Sequence, residues 1–265
     1  MYAILSVICY LASATLLARD LNASRPPCVP ARLLALAALL LHAFELYHSA
    51  WQMNAINVTL FNVLSASGWM TSLVLVVLSV RRNILTPAVI IFPGTVVWII
   101  AAALWPLPPI VIEGYSTSLS VHIFSSLLAY GVFATAALHA IVLTVQERLL
   151  RRHMQRPWMR SLPPLTASEQ LMFRIIGVGW ILLSISLLSG FLFVEDLFAQ
   201  HLAHKTFLSI VSWLVFSALL VGRWRRGWRG LLALYWTLAG VLILLLAYFG
   251  SKLVLELMLN SGWQS

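Results

Sequence analysis

The stretch Pro87–Leu104, PAVIIFPGTVVWIIAAAL, decides how this sequence is interpreted. Its 18 residues include no charged side chain. As an α-helix it would be about 27 Å long at 1.5 Å per residue, close to the ~30 Å hydrocarbon core of a bilayer. The stretch is therefore predicted to be a transmembrane helix.

Apolar runs of similar length recur along the whole chain. Of its 265 residues, 61% are hydrophobic and 9% are charged, whereas about a quarter of the residues of a soluble domain are charged. The predicted spans are Tyr2–Ala18, Arg32–Ala50, Asn62–Val80, Pro87–Leu104, Leu119–Val145, Phe173–Phe193, Thr206–Gly222 and Leu231–Leu257. We expect an all-α, polytopic integral membrane protein with about eight transmembrane helices, forming a single transmembrane domain over residues 1–265.

The positive charges alternate between the connections. Every arginine lies in or beside the first, third, fifth or seventh connection, if Arg174 at the start of span six is counted with the fifth. The second and fourth connections contain no Lys or Arg, and the sixth contains only Lys205. Under the positive-inside rule the arginine-rich connections are cytoplasmic, so both termini are predicted to be periplasmic.

A net charge of +9 could suggest nucleic acid as a partner. The arginines are split into short groups next to the predicted spans, where they contact anionic lipid headgroups and set the topology. We therefore expect membrane lipids, and no nucleic acid, as partners. The two cysteines, Cys9 and Cys28, have the spacing of neither a zinc site nor a redox pair.

The histidines are the candidate functional residues, since no phosphate-binding loop, nucleophile elbow or zinc-protease motif occurs. His42, Glu45 and His48 lie in span two, where an ionisable side chain is costly and marks a candidate site. Span five runs in the opposite direction and carries His122 near its outer end. His48 and His122 are thus predicted at one depth, where two facing imidazoles could be axial ligands of haem iron.

Other interpretations of the histidines stay open at this point. A histidine inside a bundle often serves as a hydrogen-bonding link between helices, and a loop histidine is usually solvated. His139, His201 and His204 are weaker ligand candidates than His122, His48 and His42. Glu45 could orient a neighbouring histidine or simply bond to another helix.

The one long polar segment, Glu147–Gln170, contains three prolines that break any helix continuing from span five. Behind them, the sequence Thr166-Ala-Ser-Glu169 has the pattern of a capping box. We expect Thr166 to cap the helix of span six and Glu169 to reach back to it.

From residue 120 to about 260 the chain resembles the cytochrome c assembly proteins, a family that includes CcsA-type and HemX-type membrane proteins, and most of all the short, YpjD-like inner membrane proteins. The stretches that carry the resemblance are Ser120-Val-His-Ile-Phe-Ser-Ser-Leu-Leu-Ala-Tyr130, Gly190-Phe-Leu-Phe193, His204-Lys-Thr-Phe-Leu-Ser-Ile-Val-Ser-Trp213, Gly227-Trp-Arg-Gly230 and Ala247-Tyr-Phe-Gly250. The resemblance also includes Pro163-Pro-Leu165. It implies a multi-pass protein of the bacterial inner membrane.

In CcsA-type proteins, two histidines flank a tryptophan-rich outer segment that presents haem, and further histidines hold haem in the membrane. His122 matches the first flanking histidine. The segment Val194–Lys205 has no tryptophan, Leu259 stands at the second flanking position, and Val221 stands where an intramembrane histidine is expected. The resemblance thus implies haem as cofactor without full haem-lyase activity.

The leading hypothesis from the sequence is a haem-binding or haem-handling protein of cytochrome c assembly, which is not itself expected to be an enzyme. His122 is its expected axial ligand, with His48 or His42 as partner, and another membrane or periplasmic assembly protein could receive the haem. One alternative is a non-catalytic scaffold or regulator that kept the fold and lost the haem. The other is a small-solute or ion transporter, although no paired broken helices of the transporter kind are present.

Overall fold

The structure is a computed structural model that describes residues 1–49, 51–52, 55–81, 87–105, 111–113, 117–154, 158–159, 162–193 and 200–250. Within these ranges the chain forms long helices and three very short strands. The helices are α1 Tyr2–Asn22, α2 Val29–Ser49, α3 Leu60–Arg81, α4 Ala88–Leu104, α5 Thr117–Arg151, α6 Leu165–Phe193, α7 Gln200–Arg226 and α8 Gly230–Leu245, and a π-helical turn, Leu246–Gly250, continues α8.

The prediction of an all-α polytopic membrane protein is confirmed. Seven helices are long and apolar enough to cross a bilayer, and α4 is a shorter apolar helix of 17 residues, about 26 Å in length. All eight predicted spans correspond to helices, although the last seven residues of the eighth span lie outside the described part of the chain. The periplasmic location of the termini and the single domain over residues 1–265 stay predictions.

The predicted capping box at the start of α6 is wrong. This helix begins at Leu165, eight residues before the predicted span, so Thr166 lies inside it. Its first turn is closed by the backbone N–H of Ser168, which donates to the carbonyl of Pro164 at 3.0 Å. The Glu169 carboxylate bonds instead to Arg223 on α7 at 2.8 Å.

The helices pack as two groups, each with its own core. In α1–α4, the small residues Ala31, Ala35 and Ala38 recur on one face of α2 and are fully buried, which lets α1 approach closely. Such small-residue faces are what helix packing requires where lipid removes the hydrophobic drive for association. In α5–α8, the rings of Phe133 and Phe216 stack at the centre with centroids 3.9 Å apart.

Two contacts join the groups. Helices α3 and α5 cross so closely at Gly131 that a Cβ there would lie 2.9 Å from the backbone of Met70. A small antiparallel sheet links the second and fourth connections through strands β1 (Trp51–Gln52), β2 (Ala55–Asn57) and β3 (Val111–Glu113), paired in that order. The two connections without Lys or Arg therefore lie at the same end of the bundle, which is the end that carries His122.

Candidate functional site

His122 lies near the start of α5 and faces α6. Its Nδ1 lies 2.9 Å from the backbone oxygen of Ser186 and 3.3 Å from the hydroxyl of Ser189. A carbonyl oxygen can only accept, so Nδ1 must carry the proton and donate to Ser186. The neutral imidazole is thereby held in one tautomer, with the lone pair on Nε2.

Three serine side chains complete a polar network around this histidine. The Ser126 hydroxyl donates to the backbone oxygen of His122 at 2.6 Å and lies 2.6 Å from the Ser186 hydroxyl. The Ser189 hydroxyl donates to the Ser186 carbonyl at 2.9 Å. Because polar groups at a helix contact in a membrane bond to one another, this network fixes α5 against α6 with His122 in place.

The other ring nitrogen of His122 is left available. Among the described residues, no group forms a hydrogen bond with Nε2. Beside it lies Gly190, where a Cβ would be 3.1 Å from Cε1 and 4.0 Å from Nε2 of the ring. The absence of a side chain at Gly190 lets α6 approach the His122 ring closely. The half-buried imidazole, with Nδ1–H bonded to a carbonyl and no described partner on Nε2, has the donor arrangement of a metal-ligating histidine.

His42 has a different environment in the core of α1–α4. Its side chain is fully buried, with Nε2 2.9 Å from the Ser65 hydroxyl and Nδ1 3.4 Å from the Tyr10 hydroxyl. Both ring nitrogens therefore have hydrogen-bond partners, and Glu45 is not one of them. Ligation of a metal by His42 would break one of these bonds, so the observed contacts match a link between helices.

His48 is exposed near the end of α2 and is surrounded by aromatic rings. It stacks on Tyr2 with centroids 5.9 Å apart and lies 5.7 Å from Tyr47 and 6.4 Å from Phe44. Helix α2 packs on α1 and α3, whereas α5 packs on α3, α6 and α8. The described contacts of His48 and His122 involve different neighbours, and none joins the two residues.

The weaker candidates lie apart from His122. His139 is buried about three turns from the end of α5, and its Nε2 donates to the carbonyl of Ser168 at 3.2 Å. His204 is exposed on α7, and the side chain of His201 lies outside the described residues. In the described part of the chain, no three His, Cys, Asp or Glu side chains are grouped closely enough to hold a metal ion. A cluster of three or more protein ligands at His122 is therefore not found among the described residues.

Residue patterns alone did not identify the serine network or Gly190. The signal was present, because Ser186, Ser189 and Gly190 have the spacing i, i+3, i+4 of one helix face. Three features of the sequence differ from the CcsA-type pattern. Of these, Leu259 and residues Val194–Ala199 lie outside the described residues, whereas Val221 is half-exposed on α7.

Comparison with known proteins identifies similar chains. The family model for the cytochrome c assembly protein matches residues 31–259. Inner membrane protein YpjD of Escherichia coli is 32% identical over 203 residues, which are 76% of this chain and 76% of that protein. Cytochrome c biogenesis protein CcsA of Picosynechococcus is 28% identical over 97 residues, or 36% of this chain and 29% of that protein. No solved structure matches this chain.

Proposed function

Because this chain belongs to the cytochrome c assembly protein family, we propose that it binds haem where α5 meets α6, with His122 as an axial ligand of the iron. Membership of the family supports a role in cytochrome c biogenesis, and the chain is a multi-pass inner membrane protein.

The observation that carries the proposal is the state of the His122 ring. A histidine that binds a metal donates its second N–H to a carbonyl or carboxylate, which fixes the ring and makes the ligating nitrogen more basic. His122 donates Nδ1–H to Ser186 at 2.9 Å, and no described residue forms a hydrogen bond with Nε2. Haem iron, when bound, would be held by the Nε2 lone pair of His122.

The second binding residue is proposed to be His48 or His42. His48 has no hydrogen bond among the described residues, so ligation by it would displace no hydrogen-bond partner. His42 would have to give up Ser65 or Tyr10. We therefore rank His48 above His42, and the spectra of the two alanine variants separate them.

We further propose that this chain binds haem without attaching it to an apocytochrome. Two-site delivery of haem needs a second flanking histidine and a tryptophan-rich face, and this sequence has Leu259 and Val194–Lys205 in their places. The receiver of the haem would then be another assembly protein, in the membrane or the periplasm.

The experiment is to express the protein in haem-producing cells, purify it in detergent and record its absorption spectrum. The wild type is expected to show a Soret band with α and β bands, which His122→Ala weakens or shifts. His153→Asn is the matched control, since His153 is exposed at the far end of α5 and asparagine tolerates its φ of 54°. A folded wild type without haem would refute the proposal, and an identical spectrum for His122→Ala would refute the ligand.

A second candidate is a scaffold or regulator that kept the fold and lost the haem. It is favoured by the missing tryptophans in Val194–Lys205. It predicts a haem-free wild type that remains stably associated with another membrane protein of the assembly machinery.

A further inference from the structure

Arginines are concentrated toward one end of the α5–α8 group. Seven of them are exposed, and we call this set the arginine platform: Arg148, Arg151, Arg152, Arg174, Arg225, Arg226 and Arg229. The carboxylates near it are those of Glu147, which pairs with Arg151 at 2.7 Å, and Glu169, which pairs with the half-buried Arg223 at 2.8 Å. The same end of α1–α4 carries fewer described arginines: Arg19, Arg25, Arg32 and Arg81. The platform therefore has a large excess of positive charge.

The turn that follows Arg225 and Arg226 and carries Arg229 is defined by two glycines. Gly227 and Gly230 have φ angles of 65° and 60°, in the left-handed region that glycine adopts without strain. The N–H of Gly227 donates to the carbonyl of Arg223 at 3.1 Å, which ends α7. Between the two glycines, the Trp228 indole lies directly over Gly222, where any Cβ would collide with it.

The Arg223 side chain bonds to this turn and to α6. Its guanidinium donates to the Glu169 carboxylate on α6 at 2.8 Å and to the carbonyl of Trp228 at 3.2 Å, and it lies over the Phe173 ring, 4.7 Å from the centroid. The side chains of Arg223 and Glu169 are only 31% and 16% exposed. One ion pair thus joins α6, α7 and the turn before α8, and we call it the Glu169–Arg223 lock.

The lock goes beyond what membrane topology requires. The positive-inside rule depends on the number of Lys and Arg residues near the spans, not on a defined arrangement of them. A rigid arrangement is needed when guanidinium groups bind phosphate oxygens in pairs. Basic clusters at this position between transmembrane helices bind phosphate-rich lipid headgroups.

We propose that the arginine platform binds a phospholipid that carries two phosphate groups on one headgroup, as cardiolipin does. Seven exposed arginines near two paired glutamates can neutralise two phosphates at once. Apolar side chains below the platform are exposed for the acyl chains, among them Val221, Leu231 and Leu232. Trp224, which is 82% exposed beside Arg225, has the position of an interfacial anchor. The proposal is independent of haem.

The test separates arrangement from charge with two matched variants of the full chain. Glu169→Leu and Glu147→Leu each remove one carboxylate next to the platform and keep every arginine, but only Glu169→Leu breaks the lock. Each protein is purified in detergent, mixed with cardiolipin or phosphatidylglycerol at equal phosphate, and analysed by native mass spectrometry. We expect the wild type and Glu147→Leu to prefer cardiolipin, and Glu169→Leu to lose about fivefold in that preference, the value of one arginine contact.

A second pair of variants tests the location of the site. In the first variant, three platform arginines are replaced with glutamine: Arg225, Arg226 and Arg229. In the second, three arginines at the same end of α1–α4 are replaced with glutamine: Arg19, Arg25 and Arg32. Only the first is expected to lose the preference. The proposal would be overturned if both triple variants lost the cardiolipin preference equally, or if Glu169→Leu kept the wild-type preference. Either result would mean that lipid binding depends on the number of positive charges and not on their arrangement. Displacement of the lipid by millimolar inorganic pyrophosphate would overturn the lipid assignment and identify a soluble phosphate compound as ligand.

Discussion

Replacing Gly190 with alanine tests how tightly the site around His122 is built. The added Cβ would lie 3.1 Å from Cε1 and 3.3 Å from Nδ1 of the imidazole. Carbon atoms in ordinary contact are about 3.5–4.0 Å apart, so the ring must move by roughly 0.4 Å. If the ring moves away from Ser186, the Nδ1···O distance of 2.9 Å reaches about 3.3 Å, beyond the usual range for a hydrogen bond. The anchor of the ring is then largely lost.

The expected result is weaker haem binding in a protein that is no less folded. Losing one hydrogen bond of this kind costs about 1 kcal/mol, which corresponds to roughly fivefold lower affinity. Alanine also favours the helix over glycine by about 1 kcal/mol, so thermal stability should not fall with the affinity. The assay is a titration of the haem-free protein in detergent with haem, followed at the Soret band, together with a thermal unfolding curve.

Gly177→Ala is the matched control on the same helix. No heavy atom lies within 4 Å of a Cβ added at Gly177, so this variant has the helix preference without the collision. It should bind haem as the wild type does. If Gly190→Ala binds haem equally well, with the Soret band unmoved, then the position of the His122 ring does not determine haem binding and the reasoning fails.

Three further predictions follow from other parts of the molecule. Tyr10→Phe removes a hydrogen-bond partner of the buried His42 and should lower the free energy of unfolding by about 1–3 kcal/mol, leaving the haem spectrum unchanged; a shifted spectrum would make His42 a ligand. Gly240→Ala places a Cβ 2.7 Å from the Phe216 ring and should lower the free energy of unfolding by about 1–3 kcal/mol, as measured by thermal unfolding. Gly94→Ala is the control, because no heavy atom lies within 4 Å of its added Cβ. Alkaline phosphatase fused to the C-terminus should be active, and an inactive fusion would reverse the predicted orientation.

Apolar run length and the arginine pattern sufficed to predict the eight helices and their order. The reason is that lipid leaves few solutions, since every backbone group in the membrane must be bonded within its own helix. The capping-box pattern at Thr166, by contrast, misplaced the start of α6. Leu165 follows Pro164 directly, and Pro164 supplies the carbonyl that accepts the first helical hydrogen bond. The polar residues after Pro164 suggested a cap because they are suited both to capping a helix and to lying in its first turn.

Contacts between helices were beyond the reach of sequence patterns. Glu169 bonds to Arg223, 54 residues away, and neither position indicates the other. The short strands were missed because each has two or three residues, too few for an alternating pattern. The direction of each helix predicted the depth of its histidine in the membrane but not which helix the side chain contacts. It therefore could not show that His122 faces the serines of α6, or that His42 faces Tyr10 and Ser65.

The most direct test of the central claim is the absorption spectrum of haem-loaded His122→Gly with and without free imidazole. If His122 Nε2 binds the iron, the glycine variant should lose the wild-type Soret and α bands, and imidazole filling the vacated space should restore them. Because His48 is the leading candidate for the second ligand, His48→Gly should also lose the wild-type bands and regain them with imidazole. A His122→Gly spectrum identical to that of the wild type, before any imidazole is added, would contradict the account.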